Sequence, residues 1–154
     1  MADQSLGASE PTALEHAIEQ LYAVPLADFM TTRAVLVAQA RAAPNRPLAQ
    51  QIGKLRKPSV AAALLNALIR ARPDLVADLD SVGAQLRAAQ ASLHGTALGA
   101  LRPARDELIA AWLAGATDLA RAAGSALSTA AETEVRDTVI AALSWKRCHA
   151  VHRC

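Results

Sequence analysis

Four side chains that can bind metal or undergo redox chemistry lie within the stretch CHAVHRC. They are Cys148, His149, His152 and Cys154. Imidazole and thiolate are good zinc ligands, but a structural zinc site normally takes ligand pairs from two separated segments, so that the chain can wrap a tetrahedron. Four ligands within seven consecutive residues would strain the backbone. Cys148 and His152 stand four residues apart, so on a helix they would form half a site that needs a second pair from elsewhere or from another subunit.

Redox chemistry is the other possibility for these four side chains. A disulfide between Cys148 and Cys154 would close a small loop and constrain the chain little. The stretch is therefore interpreted first as a tail without a role, and no metal or cofactor is favoured. Metal binding and redox or disulfide chemistry remain the alternatives. A metal-dependent role predicts stoichiometric zinc that is lost when residues 145–154 are removed.

The middle of the chain is strongly basic. Residues 29–73 carry eight bases and no acid, whereas residues 1–28 carry five acids and no base, and the net charge of the chain is only +2. A basic block can contact the phosphates of nucleic acid. The same charge pattern also arises without any ligand, from cations that compensate the dipole at helix C-termini or from acidic and basic helices that pack together. A patch that binds a protein partner is the remaining alternative. The candidate nucleic-acid contacts are Arg33, Arg46, Lys54, Arg56, Lys57, Arg70 and Arg72.

Helices must position these side chains, because strand patterns are nearly absent. Hydrophobic residues make up 53% of the chain, much of it alanine, and aromatic residues only 3%. Alanine favours helices and fills little volume, which indicates closely packed helices. Apolar residues recur at helical spacing between proline breaks. The sequence predicts an all-α fold, a compact antiparallel bundle or array of about six or seven helices. Its predicted organisation is a disordered N-terminus over 1–8, a single helical domain over 9–144 and an atypical basic Cys/His tail over 145–154.

Four local patterns lead to specific predictions about these helices. Ser9 before Pro11 resembles an N-cap for the first helix, and Ser128-Thr129 with Glu132 resembles a capping box for the last one. A helix is expected over 46–56, stopped by Pro58. The next helix, expected over 59–72, has only one polar residue between positions 60 and 69 and is predicted to be the buried centre of the bundle. A buried helix cannot read base edges, which argues against a helix-turn-helix.

Catalytic signatures are missing from the sequence. It contains no P-loop, no GxGxxG after a strand, no GxSxG and no HExxH, and no nucleophile, base and oxyanion donor can be assembled from it. No apolar run reaches the length of a membrane helix, and the stretch MADQSLGASEPT lacks the features of a secretory signal. These observations predict a non-enzymatic protein in the cytoplasm, without a membrane partner.

Three stretches, LYAVPLADF (21–29), LRKPSVAAALLN (55–66) and VRDTVIAAL (135–143), together resemble one known family. It is an actinobacterial family of alanine- and arginine-rich helical proteins, whose Leu-Tyr-x-x-Pro-x-x-x-Phe and Leu-Arg-Lys-Pro-Ser-Val-Ala-Ala motifs carry no known chemistry. The resemblance covers residues 20–143 and implies a helical fold. Ala63 replaces the tryptophan usual in the family, and the similarity stops after Leu143. One hypothesis is a truncation or reading-frame change at that point, and family-like codons in another frame just past Leu143 would support it.

The sequence therefore leads to one main functional expectation and two alternatives. The main expectation is an interaction or regulatory module with an unknown protein partner. The first alternative is an accessory nucleic-acid-binding protein that contacts phosphates through the basic block over 33–72. The second alternative is a metal-binding or redox role of the Cys/His tail.

Overall fold

A computed structural model describes residues 12–43, 45–93 and 95–145, and this part of the chain contains eight α-helices and no strand. The predicted all-α fold is confirmed. The described part of the chain has one helix more than the six or seven predicted. The additional helix is α6, which has only six residues and is too short to show a hydrophobic period. The helices are α1 (Ala13–Ala23), α2 (Phe29–Ala42), α3 (Arg46–Gly53), α4 (Val60–Ala71), α5 (Pro73–Ala91), α6 (Gly95–Ala100), α7 (Arg102–Ala122) and α8 (Thr129–Ser144).

The helices form two compact units, an N-terminal unit over Met1–Ser59 and a C-terminal unit over Val60–Cys154. The described part of the N-terminal unit contains α1 to α3 around a core with Leu21, Phe29 and Ile52 at its centre. The C-terminal unit contains α4 to α8 around a separate core. A single domain over 9–144 stays a prediction. No helix within the described ranges is long and apolar enough to cross a membrane.

The first helix begins with a capping box at Thr12. The Thr12 hydroxyl accepts a hydrogen bond from the Glu15 backbone N–H at 3.2 Å, and the Glu15 carboxylate accepts one from the Thr12 N–H at 2.6 Å. The bond that the Thr12 backbone N–H donates to the carboxylate, followed by hydrogen bonding from the Thr12 side chain, lowers the pKa of Glu15 below its ordinary value. Thr12 rather than Ser9 is thus the N-cap of α1, although the T-x-x-E signal stands in the sequence.

The third helix ends at Gly53, three residues before the predicted end. Glycine is the weakest helix former apart from proline, and Lys54 already serves as the C-cap. Residues 55–59 are irregular, in agreement with the restriction that Pro58 places on the residue before it. Lys54, Arg56 and Lys57 therefore lie on or beyond the helix end instead of inside its last turn.

The fourth helix is not buried on all sides, so this prediction from its composition is wrong. It packs against α5, α7 and α8 through Ala61, Leu65 and Leu68. Val60 and Ile69 are about half exposed, at 52% and 49%. Alanine and leucine of α4 pack against the core while its valine and isoleucine are half exposed, so the low polarity of a short helix does not by itself reveal how many neighbours it has.

The last helix is capped by Ser128, whose hydroxyl accepts a hydrogen bond from the Ala131 N–H at 3.2 Å. With Ser128 as N-cap, the third helical residue is Ala131, so Glu132 is one position too late for the predicted capping box. Its carboxylate accepts a hydrogen bond from the Arg136 guanidinium instead, at 3.2 Å. The sequence alone did not show which of the adjacent residues Ser128 and Thr129 is the N-cap.

The other end of α8 is seated on α5. Gly83 is buried, and a Cβ at this position would lie 3.3 Å from the Leu143 carbonyl oxygen. One turn later, Arg87 Nη1 donates hydrogen bonds to the carbonyls of Leu143 at 3.3 Å and Trp145 at 3.1 Å. Glycine thus permits the close approach, and arginine satisfies carbonyls that the end of a helix leaves without partners.

A valine in place of Gly83 is expected to destabilise the protein by about 1–3 kcal/mol, because it forces the end of α8 away from α5. The Cβ alone would lie 2.9 Å from Arg87 Nη1. Gly99→Val is the matched control, since a Cβ there meets no described atom within 4 Å. Urea unfolding of both variants measures the difference, and equal stabilities would contradict the close contact.

Candidate nucleic-acid interface

A basic segment with the sequence KLRK, Lys54–Lys57, directly follows α3. Its leucine, Leu55, packs against the core of the N-terminal unit. Its three cations, Lys54, Arg56 and Lys57, are all exposed. The segment therefore places positive charges on both sides of one anchored apolar side chain.

Two hydrogen bonds from other helices hold the backbone of the basic segment. The Tyr22 hydroxyl of α1 donates to the Arg56 carbonyl at 3.0 Å, and Arg33 Nη1 of α2 donates to the Leu55 carbonyl at 2.6 Å. The Tyr22 ring is itself placed by Phe29, with ring centroids 5.4 Å apart at an angle of 59°. All three described helices of the N-terminal unit thus contribute to the position of this segment.

A cleft of about 420 Å³ lies beside the junction of α2 and α3 in the same unit and is lined by Arg41, Arg46, Ala49 and Gln50. The polar groups of this lining that can donate hydrogen bonds to an anion are two guanidinium groups and one amide. The α3 terminus itself offers few free donors. Pro47 has no N–H, and the Leu48 N–H is already bound by the Asn45 side chain at 3.1 Å.

We define the basic surface as Arg41, Arg46, Lys54, Arg56 and Lys57. All five side chains are exposed, and no ion pair to any of them is found among the described residues. Arg46 and Lys54 mark the two ends of α3, which at 1.5 Å per residue is about 12 Å long. The surface is therefore longer than a single phosphate group.

Helix dipoles account for only part of the basic surface. Arg41 lies in the last turn of α2 and Lys54 at the end of α3, where a cation is favoured. Arg46 is the first residue of α3, at the positive end of the dipole, where a cation is disfavoured. Arg56 and Lys57 lie beyond the helix. Compensation of helix dipoles, which needs no ligand, thus accounts for two of the five cations and not for the other three.

The structure divides the seven predicted contact residues among different environments. Arg46, Lys54, Arg56 and Lys57 belong to the basic surface. Arg33 is half-buried, and its guanidinium donates a hydrogen bond to the backbone of the basic segment in the same unit. Arg41, which was not among the predicted contacts, joins the surface because the chain turns back between α2 and α3 and brings it to the cleft of Arg46.

Arg70 and Arg72 belong to the C-terminal unit. Arg72 forms a bidentate ion pair with Asp74, with N–O distances of 2.6 to 3.1 Å. The pair raises the pKa of Arg72 and lowers the pKa of Asp74, through the hydrogen bonds between the two side chains first. Arg70 lies in the last turn of α4, the position that the dipole favours. Neither cation is part of the basic surface of the N-terminal unit.

The Cys/His tail, with Cys148, His149, His152 and Cys154, lies outside the described residues. Metal binding and redox chemistry there stay predictions. Within the three described ranges, no group of three or more histidine, cysteine, aspartate or glutamate side chains is arranged to hold a metal ion.

Fold and surface together define an all-α protein of two helical units, one of which carries an exposed basic surface with three of its five cations on a fixed backbone segment. Comparison with known protein families, with curated proteins and with solved structures found no match to this chain. The resemblance to the actinobacterial family stays a prediction from the quoted motifs.

Proposed function

We propose that this chain is a non-enzymatic interaction protein of the cytoplasm whose N-terminal unit binds nucleic acid through its phosphates. The observation that carries the proposal is the basic surface, five exposed cations without an ion pair among the described residues. Like charges held close together repel each other, and a bound anion removes that repulsion. The pair at the cleft, Arg41 and Arg46, is the strongest case because one of the two also opposes a helix dipole.

The chemistry of the surrounding surface favours phosphate over an apolar protein partner. Besides Arg46, α3 exposes Pro47, Gln50, Gln51 and Gly53. Lysine, arginine and glutamine are side chains that donate hydrogen bonds to phosphate oxygens. The centre of a protein–protein interface is enriched in aromatic residues, methionine and arginine and depleted of lysine, so the two lysines of the basic surface and the lack of aromatic residues in the sequence of α3 are what favour phosphate. The extent of the surface, about 12 Å along α3, fits a chain of phosphates better than one isolated anion.

Binding to a fluorescently labelled 20-base-pair DNA duplex tests the proposal. Five phosphate contacts predict a slope of log affinity against log salt of about −4.5, and hence a loss of about 500-fold between 50 and 200 mM salt. The triple variant Lys54→Gln, Arg56→Gln and Lys57→Gln is expected to reduce this slope by about 3, because each lost phosphate contact reduces it by about 1.

The matched control removes three exposed cations of the C-terminal unit, in the variant Arg102→Gln, Arg121→Gln and Arg136→Gln. It changes the net charge by the same amount and is expected to leave the slope unchanged. Equal slopes in the two triple variants would show that net charge, not the basic surface, governs binding. Absence of binding at about 50 mM salt would overturn the proposal. Capture of a protein partner that survives nuclease treatment would instead favour the protein-partner expectation.

A further inference from the structure

We infer that Tyr22 and Arg33 are positioning residues, which hold the basic segment in place for the regularly spaced phosphates of a duplex. The inference rests on the proposed function and goes beyond it, since it states which residues outside the contact surface set affinity and which form of nucleic acid they favour. Neither residue belongs to the five cations of the basic surface.

The basic segment is attached to its unit through both backbone and side chain. Two successive carbonyls, those of Leu55 and Arg56, accept hydrogen bonds from side chains of two different helices. The Leu55 side chain also packs against the core. Both the backbone and a side chain are thus held in place at Leu55 and Arg56. The cations of this segment therefore extend from an ordered backbone.

A fixed backbone under the cations changes the relative affinity for duplex and single-stranded nucleic acid. A duplex offers phosphates at set spacing, so a binding site whose charges are already placed loses little conformational entropy when it binds. A single strand is flexible and must itself be ordered, so its affinity depends less on the order of the protein. Hence a loosened basic segment is expected to lose duplex affinity more than single-strand affinity.

The effect of the number of cations on binding can be separated from the effect of their placement, because the two positioning residues can be changed without changing net charge. Tyr22→Phe removes one hydroxyl and keeps the ring that contacts Phe29. Arg33→Lys keeps the positive charge and removes the guanidinium that reaches the Leu55 carbonyl. Lys54→Gln serves as the contrasting control, since it removes one charge of the basic surface and leaves both hydrogen bonds in place.

The experiment measures the affinity of each full-length variant for a 20-base-pair duplex and for one of its strands, over a salt series. We expect Tyr22→Phe and Arg33→Lys to weaken duplex binding about tenfold at constant salt slope, with a smaller effect on the single strand. Lys54→Gln is expected to reduce the slope by about 1. Trypsin is expected to cleave after Lys54 and Arg56 faster in the two positioning variants, while their circular dichroism stays that of the native protein.

Each result decides between the two claims. Wild-type protein that does not bind the duplex overturns the proposed function and the positioning role with it. Wild-type protein that binds, while both positioning variants bind the duplex equally well, overturns the positioning role alone. A change of salt slope in Tyr22→Phe would also overturn it, because the number of phosphate contacts would then have changed. Loss of duplex preference at unchanged slope, together with faster cleavage, supports it.

Discussion

Replacing Trp112 with alanine is expected to lower the free energy of unfolding by about 3–5 kcal/mol, the largest effect of any single truncation in the C-terminal unit. The Trp112 side chain is only 2% exposed and belongs to the core formed with residues of α4, α5 and α8. Alanine would leave a cavity the size of an indole ring. Neighbouring helices relax only in part into such a cavity, so both the lost burial and the empty volume destabilise the fold.

Trp112→Phe is the matched control for this prediction. The indole Nε1 is buried without a hydrogen-bond partner in the part of the chain that the structure describes. A buried donor without a partner is destabilising by about 1–3 kcal/mol, and phenylalanine removes it while most of the ring volume stays. We therefore expect Trp112→Phe to destabilise by less than about 1.5 kcal/mol.

Urea unfolding followed by circular dichroism measures both Trp112 variants. In a Trp145→Phe background, the fluorescence of the parent protein reports on Trp112 alone, since these are the two tryptophans of the chain. The exposed position of Trp145, at 73%, makes it a mild background substitution. If the alanine variant were as stable as the phenylalanine variant, Trp112 would not lie at the centre of the core.

In the N-terminal unit, replacing Phe29 with alanine is expected to lower the free energy of unfolding by about 3–5 kcal/mol. Phe29 is 1% exposed and its ring contacts Tyr22. Because that unit has only three described helices around its own core, the loss is expected to open α1 to α3 while the helices of the C-terminal unit stay protected. Hydrogen exchange with mass spectrometry resolves the two sets of helices.

Met30→Ala is the control for Phe29, since Met30 is the next residue along α2 and is 49% exposed. It is expected to change stability by less than about 0.5 kcal/mol. Simultaneous loss of protection over 13–53 and 60–144 in Phe29→Ala would show that the two cores unfold together. The Phe29 variant should also lose duplex binding, because without Phe29 the ring of Tyr22 loses its support below the basic segment.

Much of the fold could be predicted from the sequence because helix signals are local. Apolar spacing marked the helices, and prolines marked where several of them begin, as at Pro73 in α5 and Pro103 in α7. Where two adjacent residues can serve the same local role, prediction was less accurate. The sequence left the choice between Ser128 and Thr129 open, and only the geometry of the first turn of α8 decides it.

The candidate site was only partly predictable, because its parts come from distant positions. The basic block was visible in the sequence, but nothing local separates Arg33, which supports the basic segment, from Arg46, which is exposed. Their difference depends on a contact across 22 residues, from Arg33 to Leu55. Arg72 carries the same charge and is bound to Asp74 two residues away, in the other unit.

The amino-acid sequence by itself determined that this protein is built of helices and that its middle is basic, because helix propensity and charge are properties of residues and their near neighbours. Tertiary structure alone decided that the helices form two cores, that Val60 and Ile69 of α4 are half exposed, and that Tyr22 and Arg33 hold the basic segment. These features depend on which distant side chains meet. Several similar cations and many alanines differ too little in shape to specify which distant side chains come into contact.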